Sequence, residues 1–344
     1  MSVPQSAGRR RTVMSSVGIA SIAVLSCVAI GLALCSPTEA AFTGRNGDIA
    51  FVGFGPRGDA DVFTMKPDGS GRGNITDRPG FDVSPVYSPD GRRIAFTSSR
   101  SEPPGFDGNE RLFSELYVMD ADGSHVRRIT DNYGFIDWQP AWSPDGRRLV
   151  FAHGDSTPPT PEAFVAPTDL WIVDLQTGDL RDLTNSPSTW ENYAQWSPDS
   201  ERIAFDGDIS APENNDVYTI RPNGRDLRRL TSAPSFDEAP NYSPDGSSIA
   251  FDSDRAGNFD VFTMRVDGTH PTQLTVNDGA DYSPCFSPDG RAIAFVSDRD
   301  GAPVPDAPEF RFVDIFRMRT DGSHEINLTR SPMSDDFDPD WQAR

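Results

Sequence analysis

Ser243-Pro244-Asp245-Gly246-Ser247-Ser248-Ile249-Ala250-Phe251-Asp252-Ser253-Asp254-Arg255, followed by Asp260-Val261-Phe262-Thr263-Met264 and Leu274-Thr275, is the stretch that decides the fold. Proline presets the turn and glycine supplies its permissive position. A short apolar run follows, and an acid then opens a second run with the β-branched and aromatic bias of a covered sheet. The cassette occurs six times. Its apolar run returns as Ile49-Ala50-Phe51, Ile94-Ala95-Phe96, Leu149-Val150-Phe151, Ile203-Ala204-Phe205 and Ile293-Ala294-Phe295, with successive starts 45, 55, 54, 46 and 44 residues apart. Four short strands per repeat, at a period of about 40–50 residues, are the mark of propeller blades rather than helical solenoids.

The chain begins its first cassette on a second strand (Ile49 to Phe51) and ends just after an innermost-strand aromatic, Trp341. The expected architecture is therefore all-β: a six-bladed β-propeller of four-stranded antiparallel blades, residues 41–344. One C-terminal strand and three N-terminal strands complete the first blade, which hides two sheet edges. Ahead of it, Arg9, Arg10 and Arg11 precede an apolar stretch over 17–35 and the small-residue sequence ending at Ala40. Residues 1–40 read as a signal peptide cut after Ala40, or as an uncleaved membrane anchor, since about 20 apolar residues span a bilayer. The protein is expected to be exported, periplasmic or extracellular, and monomeric. Membrane contact is expected only through that first segment.

A formal charge of −21 repels nucleic acid and anionic headgroups and favours proteins or peptides with a basic segment, or metal cations. Cys285 alone remains beyond residue 40, so no internal disulfide is available, and it reads as a small buried apolar residue. His125, His270 and His324 follow outer turns, whereas His153 sits on the loop-rich side. No phosphate-cradling loop, zinc pattern or dinucleotide fingerprint occurs, and no catalytic residues are assigned.

Length variation separates scaffold from working surface. From the acid opening the third strand to the threonine closing the outer strand the offset is always 15, while second and third strands are separated by 9, 18, 17, 10, 8 and 18 residues. Those loops and the outer-to-inner connections share one face, which is thus the customised one. Three positions before the inner-strand proline, or Ala194, each repeat carries an acid: Asp82, Asp137, Glu191, Asp237, Asp281 and Asp336. A ring of six carboxylates at the channel mouth would attract a basic peptide or hold a Ca²⁺, and like charges so placed need a cation or donor. Equally, each acid can cap backbone N–H groups at its own strand start. The long loops add Phe106, Phe113, Phe164, Phe310 and Phe312 as candidate anchors for a protein contact.

The Ser-Pro-Asp-Gly turn, Ile-Ala-Phe, Ser253-Asp254-Arg255 or Ser297-Asp298-Arg299, then Asp-Val-Phe-Thr-Met and Leu-Thr, resembles the repeat of TolB-type, WD-repeat-like propellers over residues 48–341. The resemblance implies an exported bacterial protein whose propeller mouth takes up segments of partner proteins. In the family an α/β domain precedes the propeller, and here the leader runs straight into the first blade. The expected function is a non-enzymatic propeller that binds a protein or peptide at an acidic mouth, with or without Ca²⁺. The alternative is a hydrolase or lyase acting on an envelope or extracellular polymer through carboxylates of the same face.

Overall fold

The computed structural model describes residues 44–55, 58–100, 114–132, 134–156, 167–186, 188–210, 214–305, 307–331 and 333–344. The leader at 1–40 and the candidate anchors Phe106, Phe113 and Phe164 lie outside the described residues. Six four-stranded antiparallel sheets form a propeller. Blades 2 to 6 follow one order from axis to rim: in blade 5, an inner strand Asp237–Tyr242, a second Ser248–Ser253, a third Asp260–Arg265 and an outer Thr272–Gln273. Blade 1 takes its inner strand, Asp336–Ala343, from the C-terminus and adds it to Asn46–Phe54, Ala60–Met65 and Gly73–Asn74. Blade 6 carries an extra two-stranded hairpin, Pro303–Val304 with Ala307–Arg311, inside its long loop.

Each regular length found in the sequence has a structural cause. In the turn between inner and second strands, the Ser88 hydroxyl donates to Asp90 Oδ1 at 2.6 Å and accepts the Arg93 N–H at 2.9 Å. Gly91 there has φ +65°, and a Cβ would lie 2.2 Å from the Ala343 carbonyl oxygen. The offset of 15 reflects a threonine lid. Thr76, Thr231 and Thr275 each accept a third-strand N–H at 2.9 Å and donate to the acid that opens that strand.

The core lies between blades. Tyr87 and Phe96 pack on Ala50 and Val62 across the gap between blades 1 and 2, and Trp142 and Phe151 on Val86 and Leu116 across the next. Around the axis, every inner strand has a bulge whose central residue takes φ between +51° and +56°: Ser84, Gln139, Tyr193, Ala239, Ser283 and Asp338. A buried N–H turned out of its ladder must find an acceptor. Ser84 donates to Asp338 Oδ2, Tyr193 to Gln139 Oε1, Ala239 to Asp206 Oδ1 and Ser283 to Asp252 Oδ1, each on the preceding blade. A second set of bridges, including the Tyr87 N–H to Asp340 Oδ2 at 2.8 Å, ties neighbouring inner strands together. Polar side chains thus bolt the hub where the blades converge. Asp252, whose neighbours superficially resemble a calcium loop, is one of these bolts.

Candidate functional site

The six expected acids stand together as a belt, each at or near the start of an inner strand, and all are 0–1% exposed. Each is answered from within its own blade or loop. Arg72 grips Asp336 with two bonds of 2.7 and 2.9 Å. Arg100, Arg255 and Arg299 reach Asp82, Asp237 and Asp281 at 2.7 Å. In blade 3, His153 Nδ1 lies 2.6 Å from Asp137 Oδ1, and in blade 4 the Ser186 and Thr189 hydroxyls donate to Glu191 Oε1.

The arginines are held from below. In blades 1, 2, 5 and 6 the second-strand phenylalanine stacks on the third-strand aromatic with ring centroids 5.7 Å apart, and the guanidinium lies over that pair. Arg255, for example, is 5.3 Å from the Phe251 ring and 5.1 Å from the Phe262 ring. Cation, aromatic face and carboxylate together hold the charge pair in place of water. The sequence reading found the acids but not these partners, although the signal was available. Arg100, Arg255 and Arg299 each follow the acid of their own blade by 18 residues.

Not every buried acid has a cation. Burial pushes Glu191 up to about 7, against lowering bonds from Ser186, Thr184 and Thr189. Burial also raises Asp335 to about 6, and Glu238 to about 7 with added repulsion from Asp254 and Asp237. Asp206 and Asp252 stand well above the usual carboxylate range, through burial first and Glu238 second. Each of these groups holds its proton to higher pH when folded than when unfolded. Their contribution is therefore complete below roughly pH 4 and is lost as pH rises through the folded values. Thermal or urea unfolding is expected to show lower stability at pH 8.0 than at pH 5.5, by about 2–4 kcal/mol. Equal stability at the two values would contradict these environments.

What the customised face offers to solvent is different from the belt. Phe81 (40% exposed) and Phe236 (39%) sit just before the inner strands of blades 2 and 5, Phe135 (38%) opens that of blade 3, and Trp190, half-buried, precedes that of blade 4. Three of these have main-chain N–H groups pinned by the loop after the second strand: Phe81 by Ser99 Oγ at 2.9 Å, Trp190 by Asp208 Oδ1 at 2.8 Å and Phe236 by Asp254 Oδ1 at 2.9 Å. Phe135 stacks on His153 at 4.8 Å. Half-buried Glu238 and Asp298 and exposed Asp278 lie on the same side. Of the candidate anchors, Phe310 and Phe312 are half-buried on and beside the blade 6 hairpin. The aromatics of the outer-to-inner connections were missed because they adjoin conserved-length elements rather than the long loops.

His125, His270 and His324 are exposed residues following the outer turns, at φ between +53° and +60°. Cys285 is buried, its Sγ 3.8 Å from Asp340 Oδ1. Among the described residues no group of three or more His, Cys, Asp or Glu side chains is arranged to hold a metal ion, so the belt does not fit the Ca²⁺ considered for it. At least one oxygen of each belt acid is instead taken by an arginine, imidazole or hydroxyl group.

A family model described as the TolB beta propeller domain matches residues 166–270. An uncharacterized protein of Agrobacterium fabrum is 33% identical over 153 residues, which is 42% of this chain and 46% of that protein. A TolB homolog of Chlorobium luteolum is 32% identical over 171 residues, 49% of this chain and 34% of the homolog. The chain thus spans less than half the length of either relative. Among solved structures, TolB from Acinetobacter baumannii superposes with a TM-score of 0.68 at 22% identity, over 94% of this chain and 71% of that one. In its repeat and its six-bladed architecture, this chain is similar to the TolB-like β-propellers, whose family model matches it over residues 166–270.

Proposed function

We propose that the protein is an exported, non-enzymatic propeller that docks a protein or peptide segment on its customised face. The observation that carries this reading is the placement of the exposed aromatics. Among the described residues, the large aromatic side chains that stand most open to solvent, Phe81, Phe135 and Phe236, all lie on that face, beside the axis. Rigid aromatics whose main chain is already tied down lose little entropy on binding and make typical contact anchors. Around them, Asp278 and Asp298 give the face its negative charge, which suits a partner with basic residues. The belt of Asp82, Asp137, Glu191, Asp237, Asp281 and Asp336 contributes by fixing the strand starts from which the aromatics project, and by its buried charge. It does not present free carboxylates. TolB homologues among the relatives support a periplasmic or extracellular setting, reached through the leader at 1–40.

The test is affinity capture from the native envelope with the exported chain as bait, with the retained protein then purified and its binding measured directly. Changing Phe135 and Phe236 together to Ala is expected to weaken that binding by at least about tenfold while the melting temperature stays within a few degrees. Unchanged affinity would overturn the assignment of this face.

A further inference from the structure

The blades are chemically alike except along one seam. The acid opening each third strand is answered by a donor 13 residues on: Asn74 reaches Asp61 at 2.8 Å, Gln273 reaches Asp260 at 2.8 Å and Asn327 reaches Asp314 at 2.8 Å. Arg128 and Arg229 do the same for Glu115 and Asp216 at 2.5 Å. In blade 3 the acid is Asp169, and the residue in the donor's place is Asp182. The inner belt is irregular at the same point. Where blades 2, 5 and 6 carry Arg100, Arg255 and Arg299, blade 3 has Asp155 and blade 4 has Ile209.

Between blades 3 and 4 therefore lie Asp169, Asp182 and Glu191, and among the described residues none of the three forms a salt bridge; His153 is taken by Asp137 within blade 3. Ser186 joins the two sides, giving its N–H to Asp169 Oδ1 and its hydroxyl to Glu191 Oε1. Thr189 adds a second hydroxyl to Oε1 at 3.0 Å, and Thr168 donates to the main-chain oxygen of Glu191 at 3.0 Å. Glu191 Oε2 and Asp137 Oδ2 are buried and make no hydrogen bond. From blade 4 itself, Asp208 is engaged in holding the Trp190 N–H.

We propose that the seam between blades 3 and 4 is a proton-operated joint, closed while Glu191 carries a proton and loosened when it ionises opposite Asp169. A neutral carboxyl can stay buried among the hydroxyls of Ser186, Thr184 and Thr189. An anion there has no cation and faces a second carboxylate, and it relieves the cost by carrying the strand start at 189–192 toward water. Burial, which holds Glu191 near 7, puts the transition in the physiological range. Asp82, Asp237, Asp281 and Asp336 are paired with arginines that stay charged throughout, so these belt acids do not drive such a loosening. The joint is independent of what docks on the face.

Amide hydrogen exchange of the full chain at pH 5.5 and 8.0, each rate divided by the intrinsic chemical rate, tests this. Segment 184–196 is expected to lose about tenfold protection at pH 8.0, while the second and third strands of blade 2, 93–98 and 115–120, change by less than about threefold. Glu191→Gln is expected to keep 184–196 protected at both values. Ile209→Arg, which gives blade 4 the arginine of its neighbours, is expected to do the same, so that either variant decides if the other does not fold. Unchanged protection in the native chain, an equal change in all three segments, or an undiminished response in a folded variant would each overturn the joint.

Discussion

Removing residues 336–344 is expected to leave no folded monomer. That strand supplies blade 1 with Phe337, Trp341 and Ala343, all buried, and pairs with the second strand of the same blade from Asn46↔Ala343 to Gly53↔Asp336. It also carries Asp338 and Asp340, which accept the N–H groups of Ser84 and Tyr87 in blade 2. Losing two large buried aromatics alone costs about 6–10 kcal/mol, comparable to the whole stability of a typical domain. The exposed edge of Asn46–Phe54 would in addition seek another chain. Gel filtration and a melting curve check this. A truncated protein that elutes as a monomer and melts cooperatively near the native temperature would mean that the ring does not depend on closure.

Arg255→Ala is expected to be the most damaging single substitution outside the apolar core, at about 3–5 kcal/mol, because it leaves Asp237 charged and buried without its partner. The aromatic pair Phe251 and Phe262 loses its cation in the same step. Removing both charges, with Asp237→Asn and Arg255→Met together, is expected to recover most of the loss, since a neutral pair of similar volume carries no desolvation cost. Urea unfolding of the two single variants and the double variant measures the coupling. If the losses simply added, Arg255 and Asp237 would not be acting as a pair.

The blade repeat was legible because every element that sets its length is local: the Ser-Pro-Asp-Gly turn, the Ile-Ala-Phe run and the threonine lid all lie within one cassette. Ring closure was legible for a related reason. A chain that starts on a second strand and ends at Trp341 leaves one blade to be shared. The six acids were visible as a column in the repeat, but their environment was not. Whether Asp237 faces solvent or a guanidinium depends on the path of the loop that returns Arg255 over Phe251, and side-chain direction is not written in spacing alone. Asp182 and Ile209 are departures from a pattern of partners, and such departures become visible only when the partners themselves are known. Phe81, Phe135 and Phe236 were passed over because each looks like an ordinary strand-start aromatic until its neighbours on the face are in place.

The most direct measurement is site-specific photo-crosslinking of the exported protein in its native envelope, with the reactive side chain placed either at Phe236 on the customised face or at Ser247 in the turn on the opposite face. A discrete crosslinked partner is predicted from position 236 and none from position 247. The same adduct from 247, or no adduct from 236 while the captured partner still binds, would contradict docking on the face that the loops and aromatics build.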